Sequence, residues 1–166
     1  MKKVIFIVNG KPRAGKDTFA YMLKKHTKVF KYSSIDIIKR IATVCGWNGA
    51  KTEKDRKFLS DLKRMTTEYS DLAFNDLKIQ VSWFKGDGKK YEVMLIDVRE
   101  PEEIERACKA FGAKSIFIEN INVKDVTTNE SDLRVEEYEY DYVIKNNGDL
   151  KDFEKEIAKF YEEVIK

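Results

Sequence analysis

Gly10-Lys11-Pro12-Arg13-Ala14-Gly15-Lys16-Asp17-Thr18 decides the reading of this chain: two glycines enclose four residues, and a lysine follows the second. Glycine permits the backbone conformations that turn successive N–H groups inward around an anion. Residues 3–8 (KVIFIV) precede the loop as a short continuous apolar run, the pattern of a strand buried on both faces. Residues 16–25 follow it with Phe19, Ala20 and Leu23 on one side of a predicted helix. The helix start places its positive dipole end at the loop, and Lys16 adds a mobile charge.

Gly, four residues, then Gly-Lys is the Walker A spacing of a phosphate loop. In such a loop Lys16 reaches the β- and γ-phosphates of a nucleotide and follows the charge as it moves to the bridging oxygen. Lys11, Arg13 and Ala14 belong to the same cradle. The residue after the lysine is usually Ser or Thr, whose hydroxyl ligates Mg²⁺. Here it is Asp17, with Thr18 next. A carboxylate serves such a metal directly or through water, and Thr18 is placed to bond an α-phosphate oxygen. A plain Gly-rich turn has the same composition. The buried strand before it and the helix after it set this one apart.

Working outward, residues 28–32 read as a second strand, and Ser33 and Ser34 as caps of a helix to about Cys45. Residues 46–51 (GWNGAK) are a turn, and Thr52 or Glu53 opens one long helix to about Lys78. Phe58, Leu59, Leu62, Met65, Tyr69 and Leu72 recur along it at helical spacing. Residues 85–89 (KGDGK) are a surface turn and 92–98 (EVMLIDV) a buried strand. Pro101 sits near the first position of a helix to Phe111, which Gly112 stops. Residues 114–118 are a strand, 119–137 polar and irregular, 140–144 a last strand and 150–165 a last helix.

Strands alternating with helices predict a mainly parallel sheet covered on both faces, with right-handed crossovers. Ligands bind such sheets beyond the carboxyl ends of the strands. Three marked segments fall there: the loop after Val8, Asp97–Arg99 and Asn146–Gly148.

The form GKxxxGKDT resembles the phosphate loop of phage-type deoxynucleoside monophosphate kinases and of animal phosphomevalonate kinases. Residues 95–104 (LIDVREPEEI) are similar to the first family's strand ending in D-V-R, followed by a proline and an acid-rich helix start. Residues 141–150 (DYVIKNNGDL) resemble its closing strand and N-x-G turn, which dephospho-CoA kinases share. Residues 32–36 (YSSID) and 58–63 (FLSDLK) are similar, less specifically, to its acceptor-side helices. The resemblance implies an α/β fold. This is the three-layer P-loop NTPase architecture, a parallel five-stranded sheet with helices on both faces, nucleoside monophosphate kinase-like. It implies one kinase domain over 1–166, with a helical acceptor-binding region at about 33–84 and a short lid at about 119–137. Such kinases carry lid arginines; this segment holds Lys124 and Arg134.

Several residues are candidates for the chemistry. Asp97 closes a buried strand where a carboxylate holds Mg²⁺ or orients its water; a helix-capping acid is the structural alternative. Arg99 suits bidentate phosphate recognition, with a salt bridge to Glu102 or Glu103 as its alternative. Asp17 and Asp97 are the expected metal set, and Lys16, Asp17 and Arg99 the catalytic one. On the long helix Arg56 is the candidate grip for an acceptor phosphate, with Ser34 and Asp97 beside it in the acceptor set. Lys63 and Arg64 are weaker candidates, since most charged helical faces are solvated. Asn146, Asn147 and Gly148 are expected to pack against the adenine, as the resemblance implies. Trp47 and Trp83 are core or interface anchors.

Composition narrows the partners. A chain of 166 residues with 42% hydrophobic and 37% charged residues is globular rather than disordered. Net charge is +3, with 32 basic residues spread along the chain against 29 acids, so no basic tract marks a polynucleotide binder. Two distant cysteines and one histidine offer neither a disulfide framework nor a zinc site. No apolar run reaches membrane length. The expectation is a cytoplasmic enzyme that takes ATP, Mg²⁺ and a small phosphorylated acceptor, most simply a (deoxy)nucleoside monophosphate. A dephospho-CoA kinase-like enzyme and a non-catalytic nucleotide-binding module are the alternatives. A homodimer stays open.

Overall fold

The computed structural model describes residues 3–88, 90–123 and 134–166. It contains five strands and six α-helices among those residues: β1 Val4–Asn9, α1 Lys16–Leu23, β2 Val29–Ser33, α2 Asp36–Val44, α3 Glu53–Ser70, α4 Leu72–Gly86, β3 Val93–Asp97, α5 Pro101–Phe111, β4 Lys114–Glu119, β5 Tyr142–Lys145 and α6 Leu150–Phe160. A short π-helical turn, Tyr161–Ile165, follows α6. The chain forms two compact units, one of residues up to Lys31 with Asp87–Lys166, the other Tyr32–Gly86.

The first unit holds the sheet, in the order β2-β3-β1-β4-β5. β1 lies centrally and runs parallel to β3, with Val8 opposite Asp97, and parallel to β4, with Asn9 opposite Phe117. β4 and β5 are also parallel. This register brings the ends of β1 and β3 level, so the loop after Asn9 and the carboxylate of Asp97 emerge side by side. Period-2 alternation sends Phe6, Val8 and Leu95 to a core shared with Phe19 and Leu23 of α1 and Phe153 and Ile157 of α6. The intervening Ile5, Ile7, Met94 and Ile96 are equally buried, and α5, which contacts β1 and β4, buries Ile104 and Ala107. A strand covered on both faces must be apolar at every position, which is why these strands read as unbroken runs.

α5 begins and ends as expected: Pro101 occupies its first turn, and Gly112 closes it with a left-handed φ of 66°. The last strand starts later than expected, at Tyr142. Asp141 instead accepts from Ser115 N at 2.8 Å and Ser115 Oγ at 2.9 Å, which pins β4 through a side chain rather than the ladder.

The second unit corrects two expectations. The long helix over 52–78 is two helices, because Asp71 adopts a left-handed conformation with φ 51° and ends α3. Aspartate tolerates that region better than most residues. The hydrophobic spacing runs straight through the break, so it gives no warning of it. Nor does α3 bury its stripe: none of its residues is fully buried, and Met65 and Tyr69 are exposed. Thr52 is the N-cap of α3, in a reciprocal capping box with Asp55. The second correction concerns α2. Ser33 ends β2, the N-cap position is Ile35, and no side chain caps it; neither Ser33 nor Ser34 does so. The bond runs the other way, from Ser33 N–H to the Asp36 carboxylate at 2.9 Å. Tyr32 donates to Asp76 of α4 at 2.6 Å, and Arg40 of α2 lies 3.2 Å from the same carboxylate.

Candidate phosphate-binding site

The loop between β1 and α1 carries left-handed or otherwise positive φ at Gly10 (151°), Arg13 (65°) and Gly15 (106°). A Cβ on Gly10 would come within 2.6 Å of the Ile118 carbonyl oxygen on β4, so only glycine lets the loop leave the sheet here. Ala14 N–H closes the inner turn on Lys11 O at 3.0 Å, and Phe19 N–H starts the helical ladder on Gly15 O at 2.8 Å. Gly15 is the N-cap of α1 and supplies no side-chain acceptor. No capping side chain therefore competes with a ligand for the first-turn N–H donors, the arrangement an anionic oxygen requires.

Lys16, the first residue of α1, folds back over this loop. Its ammonium donates to Gly10 O and, at 3.0 Å, to Lys11 O. A positive charge thus sits at the mouth of the cradle. The Lys11 side chain meets Glu136 at 2.9 Å, and Arg13 is exposed. Thr18 is half-buried in the first turn of α1.

Asn146 buttresses the loop from behind, its Nδ2 donating to Ala14 O at 2.8 Å while its N–H donates to Glu119 O at 2.7 Å. Asn147 accepts from Ile121 N–H at 2.9 Å and donates to Glu119 Oε1 at 3.0 Å, tying the end of β4 to the turn. Gly148 is exposed just before Asp149, which caps α6 by accepting from Asp152 N–H. The structure therefore brings the predicted Asn146–Gly148 turn to the phosphate loop.

Asp97 and Asp17 are also brought together, by a residue the sequence reading passes over. Lys31 on β2 lies 3.0 Å from Asp97 Oδ2 and bonds Asp17 with the same ammonium. Asp97 Oδ1 is buried and has no hydrogen-bond partner. Burial pushes the Asp97 carboxyl above its ordinary range, against the opposing pull of Lys31 and Lys16. Burial also works against the Lys31 charge, but Asp17 and Asp97 outweigh it and hold that ammonium above its usual value. A buried, incompletely matched carboxylate oxygen beside a phosphate cradle fits a hard divalent cation, whose ligands are oxygens. Among the described residues no cluster of three or more His, Cys, Asp or Glu forms a protein-only metal cage. A cation here would draw its remaining ligands from phosphate oxygens and water.

Asn9 is the second residue missed. It is 1% exposed at the end of β1. Its Oδ1 accepts from Gly10 N–H at 2.8 Å, and its Nδ2 donates to Arg99 O at 3.0 Å and to the Tyr140 hydroxyl at 2.9 Å. Tyr140 in turn donates to Val135 O at 2.7 Å. One buried amide thus joins the phosphate loop, the segment after β3 and the segment before β5. Burial, against the pull of Asn9, pushes the Tyr140 phenol up to about 12, so it stays a donor. The available signal was a polar residue closing an apolar run just before the loop glycine.

The remaining candidates are placed as follows. Arg99 lies beyond the end of β3 and is exposed, while Asp97 is mostly buried. Arg134 pairs with Glu102 at 2.6 Å and Glu137 at 2.9 Å. Glu102, considered above as a partner for Arg99, is thus held by Arg134. Lys124 and the middle of the 119–137 segment lie outside the described residues. In the second unit Ser34 is half-buried, and Arg56 is exposed with its Nε on Lys51 O at 3.3 Å. Arg64 pairs with Glu68 at 3.2 Å, as a solvated helix face would. No helix among the described residues is long and apolar enough to cross a membrane.

No protein-family model matches the sequence, and no curated protein is significantly similar to it. Solved structures are similar over nearly the whole chain. They include a dephospho-CoA kinase from Campylobacter jejuni (18% identity, 98% of each chain, TM-score 0.56). A shikimate kinase from Bacteroides thetaiotaomicron is similar at 14% identity, 96% of each chain and a TM-score of 0.51. TT1252 from Thermus thermophilus is similar at 15% identity, 99% of each chain and a TM-score of 0.50. The likeness shows the fold: this chain has the five-stranded parallel α/β architecture of the P-loop kinases.

Proposed function

We propose that this chain transfers the γ-phosphoryl group of ATP to a small phosphorylated acceptor, a (deoxy)nucleoside monophosphate, giving the diphosphate. The observation that carries the reading is the Lys16 ammonium at the mouth of a glycine-shaped loop, beside the Asp17–Asp97 pair. Phosphoryl transfer asks a protein for positioning and charge neutralisation rather than covalent chemistry. The loop N–H groups and α1 hold the donor phosphates. Lys16 follows the charge that develops between them. Thr18 bonds an inner phosphate oxygen, and the Asn146–Gly148 turn flanks the base. Asp17 and Asp97 would hold Mg²⁺, which when bound neutralises phosphate charge and fixes phosphate geometry. Arg99 grips the acceptor phosphate. The acceptor class rests on the resemblance of residues 95–104 and 141–150 to deoxynucleoside monophosphate kinases.

Two other readings have support of their own. The similarity to a dephospho-CoA kinase favours a dephospho-CoA-type acceptor on the same machinery. The engagement of Arg134 with Glu102 and Glu137 favours a nucleotide-binding module without turnover. An ADP-release screen with ATP and Mg²⁺ across all ribo- and deoxyribonucleoside monophosphates and dephospho-CoA separates the three. The proposal expects multiple turnovers with at least one deoxynucleoside monophosphate. Turnover with dephospho-CoA alone moves the acceptor, and ATP binding without turnover on any acceptor supports the binding module.

A further inference from the structure

Lys31 occupies an unusual place for a strand lysine. It follows the buried Val29 by two residues on β2, so both side chains leave the strand on the same side. Its side chain is only 24% exposed, as is that of Asp97, whereas Asp17 is 96% exposed. The Lys31 ammonium bonds both carboxylates at once.

We propose that Lys31 is a positioning residue that stands between Asp17 and Asp97 in place of a divalent cation and gives up that place when the cation binds. The proposal rests on the phosphotransfer reading for its biological meaning, though not for its test. An ammonium and a hard metal ion seek the same oxygen ligands, and the carboxylates cannot be shared between the two at bonding distance without strong like-charge repulsion. Lysine suits a displaceable counter-charge, because its flexible stem lets the head leave without disturbing the backbone, which a rigid guanidinium fork does less readily. Beside this ammonium the Asp97 Oδ1 stays buried without a hydrogen-bond partner, a ligand position open to a cation. The arrangement keeps two acids together next to the phosphate loop before any metal arrives. It also lowers their affinity for free metal, so that the cation enters efficiently only with its phosphate ligands.

The test is Mn²⁺ binding to the nucleotide-free protein, followed by electron paramagnetic resonance of the free ion. Lys31→Met should bind Mn²⁺ roughly 10-fold or more tightly than the wild type, since it removes a unit positive charge a few ångströms from the ligands. Lys31→Arg, which keeps the charge and leaves less readily, should bind Mn²⁺ no more tightly than the wild type. Adding Asp97→Asn to Lys31→Met should erase the gain. Equal or weaker Mn²⁺ binding in Lys31→Met overturns the proposal, as does an equal gain in Lys31→Arg. Circular dichroism of each variant establishes that it is folded. ATP binding, titrated separately, keeps the two ideas apart. A gain in Mn²⁺ affinity in a protein that never binds ATP would retain the Lys31 role and end the phosphotransfer reading. Turnover with unchanged Mn²⁺ affinity would do the reverse.

Discussion

The backbone at Gly15 runs so close to Asn146 that a Cβ placed there would lie 2.5 Å from Asn146 Nδ2, the atom that donates to Ala14 O at 2.8 Å. The phosphate loop is therefore shaped from two directions, by the φ of 106° at Gly15 and by an amide from the far edge of the sheet. Gly15→Ala should cost about 1–3 kcal/mol of stability from backbone strain and crowding together, and should abolish ATP binding measured by calorimetry. Gly15→Ala with Asn146→Ala removes the crowding and leaves the φ penalty, so it should recover part of the melting temperature and none of the ATP affinity. Full recovery of both would mean that the loop does not depend on its backbone shape.

Asp97 gives a prediction of opposite sign for stability and function. Burial holds its carboxyl above the ordinary 3.8, so the folded state disfavours the ionised form relative to the unfolded chain. That penalty is absent at low pH and grows as pH rises from the ordinary value through the raised one. Asp97→Asn should therefore melt higher than wild type at about pH 7.5, with the advantage shrinking toward about pH 4. The same variant should need more Mg²⁺ for half-maximal turnover. A lower melting temperature at neutral pH would show that the bond to Lys31 outweighs burial. An unchanged Mg²⁺ titration in both Asp97→Asn and Asp17→Asn would remove these residues from the metal site.

Asn9→Ala should be costly for a small change. It leaves Gly10 N–H, Arg99 O and the Tyr140 hydroxyl without their shared buried partner. About 1–3 kcal/mol is expected from unsatisfied buried polar groups. Hydrogen exchange should localise the effect to the loop and to the segment before β5. A loss of stability without faster exchange at those two places would contradict the role of Asn9 as their link.

The sheet was legible because strands covered on both faces must be apolar throughout, and residues 3–8, 92–98 and 114–118 have no other reading in an alternating pattern. The loop was legible because phosphate binding restricts glycine positions. The break at Asp71 was not, since the stripe from Phe58 to Leu72 keeps its period across it and only a backbone angle marks it. The capping by Ser33 and Ser34 failed for a related reason. Serine before a helix fits a cap equally well as a strand end, and Asp36 took the bonding role. Lys31 and Asn9 escaped notice because single polar residues at strand ends are common. What distinguishes them is the place of β3 between β2, which carries Lys31, and β1, which carries Asn9 and sets Val8 opposite Asp97; both are properties of the sheet.

Arg99→Ala tests the acceptor side. Charge-assisted hydrogen bonds contribute about 1.5–3 kcal/mol, so the acceptor KM should rise roughly 10- to 100-fold while ATP affinity changes little. Arg99→Lys should rescue in part, because an ammonium cannot make the planar two-point contact. Collapse of ATP binding in Arg99→Ala would assign the residue to the donor side, and no change in either substrate would leave it a structural residue.

The central claim is that a phosphoryl group leaves ATP for a small phosphorylated acceptor under the charge of Lys16. Its most direct test uses ATP labelled in the γ-phosphoryl group, with the acceptor product separated and counted for wild type and Lys16→Ala. The label should appear in a nucleoside diphosphate with the wild type. It should fall at least about 100-fold with a folded Lys16→Ala, the loss expected when one transition-state charge partner is removed. Label that never leaves ATP for any phosphorylated acceptor, or that transfers equally well in Lys16→Ala, would contradict the account.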